Sequence, residues 1–223
     1  VIQRALAALE FRLRHASPGK PKDPFSLALD TLRVRLGGGR LILGEPLTIT
    51  DLAEELGLSA TPVREALSRL AGEGLIEDRR GRGYFARRYD VTDLVELYDL
   101  RRLYLVEAAG AGGGDGLGSI AAEAAAGRSA LAAAHYAYER LVAGAGKRAL
   151  LDSYRIACDR LAGAARAEET LFDTAGEWAE LAAALEDGPG GLAEILVRHH
   201  QVRQDRAGDV VRAMRAFAQI SSL

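Results

Sequence analysis

The stretch Leu52-Ala53-Glu54-Glu55-Leu56-Gly57-Leu58-Ser59-Ala60-Thr61-Pro62-Val63-Arg64-Glu65-Ala66-Leu67-Ser68-Arg69-Leu70 decides the fold of this chain. Its apolar residues fall in two helical sets on either side of Gly57. Thr50 caps a short helix over 51–56, with Leu52, Ala53 and Leu56 on its apolar side. Gly57 is the residue able to turn at positive φ, and Leu58 plugs the turn into the core. Ser59 caps a second helix, and Pro62 is tolerated because it lies in the first turn. Val63, Ala66, Leu67 and Leu70 form the buried stripe of that helix, which ends at Gly72-Glu73-Gly74. Helix, glycine turn, helix is the helix-turn-helix arrangement.

The flanking sequence completes a small domain. Asp23-Pro24 starts a helix whose Phe25, Leu29, Leu32 and Leu36 lie on one face, closed by Gly37-Gly38-Gly39. Residues 40–43 are a short strand candidate. Behind the helix pair, 75–79 and 83–87 read as two strands joined through Arg80-Gly81-Arg82. An arginine-tipped hairpin after such a helix pair is a wing. Ahead of this domain, Ile2, Ala5, Leu6, Leu9 and Leu13 sit at helical spacing, and Ser17 to Lys22 read as a linker.

Beyond Val91 no strand pattern occurs. Helices are expected over 93–111, 120–143, 148–165, 168–185, 192–206 and 209–220, with a glycine-rich connection between Gly110 and Ser119. The expected fold is therefore mainly α: an N-terminal arm and linker (1–22), a winged helix-turn-helix domain (23–89) and an all-α bundle (90–223).

Charge follows the same division. The 223 residues sum to a net charge of −2, but residues 1–89 carry 15 basic and 11 acidic side chains, whereas 90–223 carry 14 and 20. A net +4 half beside a net −6 half indicates two jobs. The single cysteine, Cys158, permits no internal disulfide and no multi-cysteine zinc site. With no long apolar run and a charged, amphipathic start, the sequence suits a protein of the cytoplasm that does not enter a membrane. It contains no Gly-x-Ser-x-Gly and no His-Glu-x-x-His, and the glycines at 110–118 do not fit a dinucleotide fingerprint, so no enzyme is expected.

Residues 24–89 closely resemble the GntR-type family of bacterial transcription regulators. The resemblance is carried by Thr61-Pro62-Val63-Arg64-Glu65-Ala66-Leu67, by Gly44-Glu45-Pro46-Leu47 before it, and by Gly72-Glu73-Gly74-Leu75-Ile76 with Arg80-Gly81-Arg82-Gly83 after it. One departure is Ala60, where relatives usually have arginine. The helical half is similar to the FadR-like subgroup, through Leu100-Arg101-Arg102 with Glu107 and through Ala207-Gly208-Asp209 with Ala213-Met214-Arg215-Ala216.

The resemblance implies double-stranded DNA as a partner, and the residues suit it. The N-terminal part of a second helix meets base edges while its N-terminus meets phosphates. Ser59 and Thr61 offer hydroxyls there. Arg64 shares a face with Ala60, Thr61 and Ser68, opposite the apolar stripe, where a guanidinium can grip guanine with two parallel hydrogen bonds. Thr50 is placed for phosphate, and Arg80, Gly81 and Arg82 suit phosphate or minor-groove contact. Arg69, four residues after Glu65, is read as a surface ion pair.

Many members of the subgroup hold a divalent metal through one aspartate and three histidines. Carried onto this sequence, the pattern gives Asp152, then Tyr154-Arg155 in place of a Phe-His pair, then His199 or His200, and Phe217 near the last histidine. At most two of four ligands survive, so no metal cofactor is expected, with His135 read as packing or surface. Arg101, Arg102, Asp152, Arg155, His199 and His200 are instead candidates for an effector site, taking an organic acid or acyl-coenzyme-type metabolite. The expected protein is a homodimeric regulator, a repressor, whose operator affinity is set by a small molecule. The competing reading is a winged-helix interaction scaffold without an effector.

Overall fold

A computed structural model describes residues 23–37, 44–111, 116–188 and 190–220. The expected helix over 2–14 and the strand candidate at 40–43 lie outside these residues.

In the N-terminal part, α1 (Pro24–Gly37), α2 (Ile49–Leu56) and α3 (Ala60–Gly72) pack around one apolar centre. Asp23 caps α1 by accepting from the Ser26 amide at 3.0 Å. Between α2 and α3, Gly57 takes φ 65°, ψ 32°, the left-handed turn its position requires. Ala28 and Leu32 of α1 meet Leu52 and Ala53 of α2 and Val63, Ala66, Leu67 and Leu70 of α3. The last four of these have no exposed surface. The cap of α2 is Thr48, not Thr50: the helix begins two residues earlier than its sequence suggests, and Thr50 lies exposed within its first turn.

The sheet has three antiparallel strands in the order β1 (Pro46–Leu47), β3 (Gly83–Ala86), β2 (Ile76–Arg79). Pro46, which cannot donate to a ladder, stands in a two-residue edge strand opposite Phe85. Strands β2 and β3 pair from Ile76↔Ala86 to Arg79↔Gly83, with Arg80-Gly81-Arg82 at the tip.

The remaining described residues are helical: α4 (Val91–Gly110), α5 (Leu117–Ala125), α6 (Ala130–Gly144), α7 (Arg148–Leu161), α8 (Ala165–Leu171), α9 (Thr174–Asp187), α10 (Leu192–Asp205) and α11 (Ala207–Ile220). Helix α4 is central, touching α6, α7, α10 and α11. A reciprocal capping box fixes its start: Asp93 donates its amide to Asp90 at 2.8 Å, and Asp90 returns its own at 3.0 Å.

Two expected helices are each divided. The stretch 120–143 breaks at Gly127, where φ is 68°, and α6 restarts under a Ser129 cap. The stretch 168–185 breaks at Phe172-Asp173, where the Asp173 carboxylate accepts from the Gly176 amide at 3.0 Å. In addition, 148–165 ends in a 3-10 turn over Ala162–Ala164. These breaks leave α8 only seven residues long, packed on α11, and let α9 pack on α5, α6 and α10.

Candidate nucleic-acid interface and the polar core of the bundle

Helix α3 divides cleanly by face. Val63, Ala66, Leu67 and Leu70 are sealed, while Ala60, Thr61, Arg64 and Ser68 are exposed together on the other side. Ser59 holds the N-cap position in extended backbone, with no side-chain cap hydrogen bond, so its exposed hydroxyl is not committed to the helix. At the wing tip, Arg80, Gly81 and Arg82 are exposed, and Gly81 and Gly83 take φ 73° and 89°. Arg79 does not project there: its guanidinium lies 4.2 Å over the Phe85 ring and pairs with Glu77. Thr50 is exposed, its hydroxyl 3.3 Å from Asp51.

Arg69 turns the other way along its helix from the expected partner. It meets Glu73 at 2.7 Å rather than Glu65. Glu73, with 5 % of its side chain exposed, also receives Arg33 of α1 at 2.5 Å. The same Arg33 guanidinium comes within 3.7 Å of Asp159 on α7. Arg87, after the wing, pairs with Asp93 of α4 at 2.9 Å and reaches the Gly74 carbonyl. The end of α3 is thus tied to both α1 and the bundle through ion pairs.

Residues 28–85 match the family model "Bacterial regulatory proteins, gntR family". Over these residues the chain is similar to gntR-family regulatory proteins. Over 58 residues the chain is 43 % identical to the Nta operon transcriptional regulator of Aminobacter aminovorans, covering 26 % of this chain and 28 % of that protein. It is 42 % identical over 72 residues to a protein of Paenarthrobacter nicotinovorans named "Probable D-xylose utilization operon transcriptional repressor", 32 % of each. The matched region therefore spans about a third or less of these relatives. By fold, the chain resembles E. coli McbR/YncC, with a TM-score of 0.65 at 18 % identity, over 84 % of this chain and 98 % of that one. That likeness extends the shared fold into the helical part. The family and both relatives are transcription regulators by name, not enzymes.

Beyond the residues that match the family model, the structure separates the six candidate effector residues. Arg101 and His200 are buried together in the bundle, with Arg101 Nε donating to His200 Nε2 at 2.9 Å. His199 is buried on the same helix but turns to Glu180 at 3.0 Å. Arg102 pairs with Asp99, Asp152 with Arg148, and Arg155 with Glu139, all at the surface or its margin. These three do not join Arg101.

Other residues do. Glu168 of α8 accepts from Tyr98 Oη at 3.0 Å and from Arg203 Nε at 2.9 Å, and Arg101 lies 3.9 Å away. Arg203 also grips Glu177 with two bonds of 2.9 and 2.6 Å. Burial pushes the Glu168 carboxyl up, but Arg101 and Arg203 outweigh it and hold the group at about 2. Sequence reasoning passed over Glu168 and Arg203. The available signal was that Arg203 follows His199 and His200 by four and three residues, on one helix face.

A divalent metal does not fit this arrangement. The Nε2 lone pair of His200 is taken by a guanidinium, and an arginine beside it repels a cation. Among the described residues, no three His, Cys, Asp or Glu side chains converge as ligands. Nor is any helix among them long and apolar enough to cross a membrane.

Proposed function

We infer that the chain is a DNA-binding transcription regulator, a repressor of the FadR-like subgroup, acting in the cytoplasm as a homodimer. One observation carries this reading: the exposed face of α3, bearing Ala60, Thr61, Arg64 and Ser68 within the residues that match the gntR family model, flanked by an arginine-tipped wing. Arg64 reads base edges in the major groove. Ser59, Thr61 and Thr50 contact phosphate, and Arg80, Gly81 and Arg82 follow the backbone or minor groove. Ala60 shifts the burden of discrimination onto Arg64. Two copies on paired half-sites match a two-fold symmetric operator.

In this reading, residues 1–22 are an arm and linker, 23–89 bind DNA, and 90–223 dimerise and bind an effector of the organic-acid or acyl-coenzyme class, with no resident metal. Arg101 and His200 face the effector site from within the bundle. Coupling runs along α4. Asp93, paired with Arg87 next to the wing, and Arg101 are eight residues apart on that helix, about 12 Å along its axis. A ligand that moves Arg101 also moves the Asp90-Val91-Thr92 junction, and with it the spacing of two winged domains.

The test is a selection of bound sequences from random double-stranded DNA, repeated with small organic acids present. Recovery of a two-fold symmetric site, whose binding weakens with salt and shifts with one of the acids, supports the reading. Failure to enrich any sequence favours an interaction scaffold instead.

A further inference from the structure

The polar core of the bundle has an arrangement that neither DNA binding nor packing calls for. Two arginines, Arg101 from α4 and Arg203 from α10, are 2 % and 4 % exposed and converge on one carboxylate that is 1 % exposed. Burying cations together is costly unless an anion lies between them. Around that anion stand Tyr98, which donates to it, and the rings of Tyr138 and His200, 5.9 Å apart. His135 adds a ring nitrogen, Nε2, that is sealed from solvent and has no hydrogen-bond partner among the described residues. A buried polar atom left without a partner is a place where an incoming oxygen or hydroxyl gains a bond.

The element that delivers the carboxylate is short. Glu168 sits on α8, seven residues long, between the 3-10 turn at Ala162–Ala164 and the extended Phe172. Arg101 and Arg203, by contrast, stand on helices of 20 and 14 residues. Both arginines thus stand on long helices, and the carboxylate reaches them from a separate short one.

The geometry points to Arg101 and Arg203 as an anion-binding site that this chain fills with its own Glu168, so that a small carboxylate ligand enters by displacing that side chain. The proposal rests on reading the helical part as a ligand-binding domain, and gives that domain its chemistry: a monocarboxylate end held by two guanidinium groups and Tyr98, with His135 beside it. Glu168 is then a tethered competitor. Its high effective concentration keeps the site closed against weak anions, so that only a ligand making further contacts displaces it.

Replacing Glu168 by alanine in the full chain removes the methylene and carboxylate, a fragment the size of acetate. Thermal unfolding of Glu168→Ala is followed in acetate and in chloride at equal ionic strength. Acetate should raise the melting temperature of this variant saturably, by roughly 3–6 °C at ten times its dissociation constant. Wild type should shift by less than a third as much. Glu168→Gln, which removes the charge but keeps the volume, should melt below wild type and ignore acetate. Should Glu168→Ala lack a fold in chloride, recovery of its helical circular dichroism in acetate is the expected result. No acetate response in Glu168→Ala, or an equal response in all three proteins, overturns the proposal. No DNA enters these measurements, so their failure is distinct from failure to select an operator.

Discussion

Nε of Arg101 lies 2.9 Å from Nε2 of His200, and because a guanidinium can only donate, that ring nitrogen carries no proton. The other, Nδ1, then donates to the Leu196 carbonyl at 2.7 Å. His200 is a neutral imidazole of defined tautomer, locked by one bond on each side. Burial, and after it Arg101, keep its pKa well below 6.5.

Acid should therefore loosen the bundle well before carboxylates titrate. Burial, followed by Arg101, lowers His135 from 6.5 to about 4. A histidine whose folded pKa is depressed contributes stability that is complete above about 6.5 and lost as pH falls toward the folded value. Urea-unfolding free energy should fall between about pH 6.5 and about 4, by up to about 1.4 kcal/mol per pH unit for each histidine. Below 4.5 the loss steepens as Glu168, depressed to about 2, begins to protonate in the unfolded chain. His135→Phe should flatten the upper part of this slope. An unchanged slope would place the proton uptake elsewhere.

The two halves of the molecule differ in how far their sequence reveals them. Helices α2 and α3, the turn at Gly57 and the wing were legible because glycine, apolar period and turn residues all agree there. The bundle was legible as helix but not in its breaks. Alanine favours helix everywhere, so a run such as 168–185 carries no apolar gap at Phe172-Asp173, and the Asp173 cap is the local mark of the break. The same limit hid the polar core. Arg101 and Arg102 look alike in sequence, yet one is sealed against His200 while the other pairs with Asp99 near the surface. Which is inward depends on where α10 crosses α4, a tertiary fact.

Arg64→Ala should reduce binding to a selected operator by about 1–3 kcal/mol while leaving binding to unrelated DNA nearly unchanged, as befits a base-reading side chain. Arg80→Ala and Arg82→Ala should act differently. Each should weaken all sequences alike and reduce the slope of log affinity against log salt by about 1. Fluorescence anisotropy on operator and scrambled duplexes across a salt series separates the two patterns. Equal losses on both duplexes for Arg64→Ala would remove it from base readout.

The end of α3 provides a test of linkage between layers. Glu73 is nearly sealed between Arg33, 28 % exposed, and Arg69, 62 % exposed. An exposed partner is screened by water and contributes little, whereas a half-buried one loses more when its carboxylate goes. In double-mutant cycles the Arg33–Glu73 coupling should exceed the Arg69–Glu73 coupling, with the latter below about 1 kcal/mol. Glu73→Ala should destabilise by about 1–3 kcal/mol through the Arg33 group left behind. Equal couplings would mean that Arg33 is as well hydrated as Arg69 in solution.

Gly57 isolates a purely backbone effect. Its φ of 65° is left-handed, yet a Cβ built there meets nothing within 4 Å. Substitution by alanine thus adds no collision with a neighbour, and its cost is the conformational penalty alone, about 1–2 kcal/mol. Asparagine, which tolerates this region better, should cost less than alanine. Because the turn sets the angle between α2 and α3, Gly57→Ala should also weaken operator binding, although it leaves Arg64 and both wing arginines intact. Chemical unfolding gives the first quantity and anisotropy the second. A neutral Gly57→Ala in both would show that the turn reaches the same geometry without the left-handed residue.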